Sequence, residues 1–153
     1  MHVPPPCARI IVIEDSLNLA RLYREEFLED NLDVDIAVSA GMVEVLLKQC
    51  RYQLAVLDVH LRYMDGHALF WKLEAFGIPV VVNTATYPGE APPPAGAQAY
   101  VTKTWDVTEL RNTVRRVLAE EEARTRTGDP GEDAAVMMTL ALKPMRAQYN
   151  LPS

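Results

Sequence analysis

The 153 residues suffice for one domain with a full core, and an apolar content of 49% excludes an unfolded chain. No run approaches the ~18 apolar residues of a membrane span, and the opening MHVPPPCARI lacks the apolar stretch of a signal peptide, so a cytoplasmic protein without membrane contact is expected. A net charge of −6 disfavours a nucleic-acid binder, which carries a basic stripe, and the two cysteines, Cys7 and Cys50, are too few for a disulfide framework.

In chain order, RIIVIED (9–15) reads as a strand buried on both faces. Ser16 caps a predicted helix over 17–29, with Leu19, Leu22, Tyr23 and Phe27 on one side. DVDIAV (33–38) is a second strand, and Ser39 opens a second helix that turns Met42, Leu46 and Cys50 inward. QLAVLD (53–58) is the third strand. A third helix covers 66–76, with Leu69, Leu73 and Phe76 on one side and Gly77 at its C-terminal end. PVVVNT (79–84) and AYVT (99–102) are the fourth and fifth strands. Asp106 and Glu109 resemble a capping pair for the last helix, whose buried stripe is Val107, Leu110, Val114 and Val117.

Strands that alternate with helices at short intervals predict βαβ units and a parallel sheet covered on both faces. Two regions break the alternation. ATYPGEAPPPAGAQ, between strands four and five, holds three consecutive prolines, which lack an N–H and clash with a preceding turn. A loop, or at most a turn or two of helix, is predicted there. After the last helix, TRTGDPGED (125–133) reads as a linker. Residues 134–142 of the tail are apolar enough for a short helix, stopped near Pro144.

All strands of a parallel sheet end at one edge, where binding crevices form. Strand one ends in Glu14 and Asp15, strand three in Asp58 and strand four in Thr84, and Lys103 follows strand five. Three carboxylates so placed repel unless a cation joins them. Oxygen ligands with water suit Mg²⁺. A carboxylate can accept a phosphoryl group, while a divalent ion, an ammonium and a hydroxyl supply the charge and positioning that the transfer needs. Taken singly, a strand-end Asp is a turn residue, Thr84 a strand former and Lys103 a surface charge. The combination is far more specific.

With these residues in place, the chain from about 9 to 123 resembles the receiver domain of two-component response regulators. Glu14–Asp15 matches the family's metal-binding pair, and Asp58, in LDVHLRYMDG, matches the phosphoacceptor. Thr84, Lys103 and Tyr100 match the hydroxyl, lysine and aromatic switch positions. The resemblance implies an α/β flavodoxin-like, doubly wound five-stranded parallel sheet of order 2-1-3-4-5, with helix four short or missing. It also implies Mg²⁺ held by Asp15, Asp58 and the backbone carbonyl of His60, with Glu14 acting through water. A histidine kinase or histidine phosphotransfer protein is the implied donor. His60 and Thr86 are placed beside the attacking water, where they tune the lifetime of the phosphoryl group.

Two departures from the family stand out. Thr104 follows the lysine where the family usually has proline, and the proline-rich segment replaces helix four. The family's dimerisation and output face, built from helix four, strand five and helix five, is therefore expected to be rebuilt. NTATYPG looks like the Thr–Gly–Tyr stretch of single-domain receivers that lack this helix. The expected organisation is an N-terminal extension (1–8), a receiver domain (9–124), and a linker with a short tail (125–153). Output is expected through contact with an unknown downstream protein, with room for a homodimer. Two alternatives are a degenerate receiver that acts only as an interaction module, and an aspartate-nucleophile phosphatase. The latter needs a second Asp two residues after the nucleophile, where His60 stands.

Overall fold

The computed structural model describes residues 8–85, 93–104 and 106–126. Five strands run β1 (Arg9–Ile13), β2 (Asp33–Ala37), β3 (Leu54–Leu57), β4 (Val80–Thr84) and β5 (Ala99–Thr102). They alternate with α1 (Leu17–Glu29), α2 (Ala40–Gln49) and α3 (Gly66–Ala75), and α4 (Thr108–Arg126) follows β5. All strand pairs are parallel, in the order β2-β1-β3-β4-β5. This is the flavodoxin-like arrangement that the strand pattern and the resemblance imply.

Strand periodicity divides the core into two layers. Ile11, Ile13, Ala55, Leu57, Val80 and Val82 face Val43 and Leu47 of α2 and Leu69, Phe70 and Leu73 of α3. Their neighbours Ile10, Val12, Leu54, Val56, Val81 and Val101 face Tyr23 and Phe27 of α1 and Leu110, Val114 and Val117 of α4. Continuous apolar strands are what a sheet covered on both faces requires.

Side-chain caps fix the helix starts. Leu19 N–H donates to Ser16 Oγ, Met42 N–H to Ser39 Oγ and Ala68 N–H to Asp65 Oδ1. Asp106 accepts from Thr108 N–H at the start of α4. After α3, Gly77 takes φ 73°, a left-handed conformation that glycine adopts without a Cβ penalty.

Two predicted helix faces are corrected. The buried row of α1 is Ala20, Tyr23 and Phe27, and Leu22 is exposed. On α2 the row is Val43 and Leu47. Met42 is exposed, and Leu46 and Cys50 pack only partly against the layer. Apolar residues occupy more of the circumference of α2 than the sheet can cover, so periodicity alone does not select the inward row. On α3, Phe70 joins Leu69 and Leu73 in the core, and Phe76 is the partly buried C-cap.

No described residue between β4 and β5 is helical. Gly96, with φ 109°, lies where an added Cβ would come within 3.7 Å of the Phe70 ring and 3.8 Å of the Glu74 carboxylate, so the connection at this residue lies against α3. The remainder of this connection (86–92, including Thr86), the extension 1–7 and the tail 127–153 lie outside the described residues.

Candidate functional site

The C-terminal edge of the sheet gathers the predicted residues. Asp58, the first residue after β3, is held by three donors. Thr84 Oγ1 donates to its Oδ1 at 2.9 Å, His60 N–H to the same oxygen at 2.9 Å, and Lys103 Nζ to its Oδ2 at 2.7 Å. Lys103 Nζ also donates to Glu14 Oε2 at 2.7 Å. The strand ladder places these groups. Lys103 N–H donates to Thr84 O, Asp58 N–H to Ile13 O and Glu14 N–H to Ala37 O, each continuing a strand pairing one step beyond the sheet. Asp58, Glu14 and Thr84 are buried, and Asp15 is half-buried beside them.

Burial pushes the Glu14 carboxyl above its ordinary range, against the opposing pull of Lys103. Burial also disfavours the Lys103 ammonium, but its hydrogen bonds to Asp58 and Glu14 outweigh that cost and leave the amine held above its usual range. The ammonium therefore stays charged at neutral pH between two buried carboxylates.

Backbone amides, which a reading by side-chain type passes over, complete the site. Ser16 N–H donates to Glu14 Oε1 at 3.2 Å, and Arg62 N–H donates to Asp15 Oδ2 at 2.6 Å. Asn83 was also passed over. It is buried beside Thr84 and hydrogen-bonds the Tyr23 hydroxyl, whose burial raises its pKa. A lone polar residue in the apolar run VVVNT was the available signal. Gly66 belongs to the site's frame, because a Cβ there would lie 2.4 Å from the Val59 carbonyl oxygen. Only glycine lets α3 begin this close to the strand-three loop.

Tyr100 is exposed. Its hydroxyl donates to Pro94 O at 2.6 Å and accepts from Ala97 N–H at 3.2 Å, tying β5 to the proline-rich connection. Thr104 Oγ1 donates to Asp106 O at 2.6 Å, so the residue that replaces proline closes its own turn. His60 as a whole is half-buried.

Among the described residues no three His, Cys, Asp or Glu side chains form a ready-made cation cage. The donor chemistry nonetheless fits a hard divalent ion. Glu14 and Asp58 share the single Lys103 ammonium, Asp15 accepts from the Arg62 amide, and the oxygens of all three carboxylates are the ligand type that Mg²⁺ takes.

A parallel sheet of this order with an acidic, lysine-bearing pocket at its C-terminal edge is a receiver fold. The sequence matches the response regulator receiver domain over residues 10–115, and the chain belongs to that family, a component of two-component systems. The Response regulator ArlR of Staphylococcus epidermidis is 32% identical over 118 residues, which are 73% of this chain and 53% of that protein. The chain thus spans about half the length of the curated relatives it matches. Two solved structures share the fold. The response regulator TrrA of Thermotoga maritima, in complex with Mg²⁺–BeF, aligns with TM-score 0.63 at 23% identity over 72% of this chain and 98% of that one. TrrA in complex with the histidine kinase ThkA aligns with TM-score 0.64, at 23% identity and the same coverage. No described helix is long and apolar enough to cross a membrane.

Proposed function

We propose that this chain is a phosphoaccepting receiver, and that a histidine kinase or histidine phosphotransfer protein transfers a phosphoryl group to Asp58. The observation that carries the reading is the convergence of Thr84, Lys103 and the His60 amide on the two oxygens of Asp58. An Asp58 oxygen attacks phosphorus. The new O–P bond forms as the donor's N–P bond breaks, and the bonding pair returns to the donor imidazole. The transfer depends on positioning and charge stabilisation. The His60 amide and Thr84 fix the carboxylate, and Lys103 moves its charge onto the incoming phosphoryl oxygens. Asp15, Asp58 and the His60 carbonyl, with Glu14 through water, are the groups that would hold Mg²⁺, which supplies charge neutralisation when bound.

The modified Asp58 adds negative charge and acceptor oxygens next to Thr84. Turning the Thr84 hydroxyl toward that group breaks its bond to Oδ1, and the connection tethered by Tyr100 re-packs. This biases a two-state equilibrium that a protein partner reads. His60 and Thr86 tune hydrolysis, which resets the chain. In this reading residues 9–124 form the receiver, flanked by an extension and a tail, and it works in the cytoplasm with its kinase. TrrA's complexes with Mg²⁺–BeF and with a kinase support the reading by likeness of fold.

Incubation with acetyl phosphate and Mg²⁺, followed by intact mass measurement, tests it. Wild type gains one phosphoryl group and Asp58→Asn gains none. A wild type that gains none overturns the reading in favour of a phosphorylation-independent interaction module. Sustained turnover of phosphate esters overturns it in favour of a phosphatase.

A further inference from the structure

At the end of the sheet opposite Asp58, the strand starts and the last turns of α4 enclose a cavity of about 560 Å³. Leu32, Tyr52, Pro79 and Leu118 give it an apolar lining, and Glu121 and Glu122 stand on its wall. We propose that residues 134–142, AAVMMTLAL, dock in this groove on their own domain.

Four observations favour this occupant. Thr125, in the last described turn of α4, lines the groove, so the residues that follow begin beside it. The connecting residues 127–133 can span at most roughly 23 Å, which keeps 134–142 near the groove, and they include Gly128, Pro130 and Gly131, which are turn-forming types. Every residue of 134–142 except Thr139 is apolar, which matches the lining. Lys143 and Arg146, one and four residues beyond Leu142, are opposite in charge to Glu121 and Glu122, of which Glu121 also pairs with Arg124. The N-terminal residues also begin beside the groove, at Ala8, but they hold three prolines and little aliphatic surface. Docking extends the core at the end of the sheet remote from the phosphoacceptor.

Methyl-labelled full-length protein, studied by NMR, tests the proposal. Cross-peaks are expected from the Met137, Met138 and Leu140 methyls to Leu32 and Leu118. Leu140→Asp should abolish them, and so should Leu118→Gln from the groove side. Narrow, random-coil tail signals without cross-peaks overturn the proposal. So do cross-peaks seen only between differently labelled molecules, which assign the groove to a second copy, and cross-peaks from Val3, which assign it to the N-terminal segment.

Discussion

Lys103 is the pivot of the acidic pocket, since one ammonium serves two buried carboxylates. Lys103→Met leaves both without their cation and should destabilise the protein by about 3 kcal/mol at neutral pH, measured by urea denaturation. The folded amine is held above its ordinary 10.5, so its contribution is complete below that pH and is lost as pH rises through the elevated value. The gap between variant and wild type should therefore close only in strong alkali. Glu14 has the opposite consequence. Its folded value lies above the ordinary 4.5, so the folded state holds the proton more tightly and stability falls as pH rises from about 4.5 through the raised value. Glu14→Gln should flatten that slope in a pH series of denaturation midpoints. Asp58, Thr84 and Lys103 were legible as side chains at strand ends. The amides of Ser16, His60 and Arg62 were not, because a sequence does not show which N–H a fold leaves pointing at a carboxylate.

Between helices, the main polar link is Arg111 of α4 with the C-terminal end of α1. Its Nη2 and Nε donate to the two oxygens of Asp30 at 2.7 and 3.0 Å, and Nη1 donates to Glu26 at 3.1 Å. The Arg111 hydrogen bonds hold the Asp30 carboxyl below its ordinary 3.8. That contribution is present above 3.8 and disappears as pH falls through the lowered value. Arg111→Met should lower the thermal midpoint at neutral pH, and the difference should vanish in strong acid, as read by calorimetry at both pH values. On the other face, Lys72 of α3 pairs with Glu44 of α2 at 2.8 Å. Element types and order followed from runs and breaks in the sequence, as did the stripe Leu110, Val114 and Val117. Leu22 and Met42 did not follow, because helix orientation is decided by the sheet it lies on, and a short helix with apolar residues on several sides offers more than one acceptable face.

For the whole molecule, fold and pocket chemistry agree because the parallel topology delivers Glu14, Asp15, Asp58, Thr84 and Lys103 to one edge from widely separated positions. Mg²⁺ at about 100 times its Kd should add roughly 2.7 kcal/mol to stability. Asp15→Asn and Asp58→Asn should each abolish most of the resulting thermal shift, while Arg111→Met keeps it. The amide of Arg62 adds a further consequence. It grips Asp15 across 47 positions of chain, and Tyr63, 85% exposed, stands next to it. In the proposed receiver, an ion that draws Asp15 away would loosen that grip, and cation loading and the posture of the segment bearing Tyr63 should form a single equilibrium. The ring resonances of Tyr63 should therefore shift as Mg²⁺ is titrated into wild type and stay still in Asp15→Asn, as NMR would record.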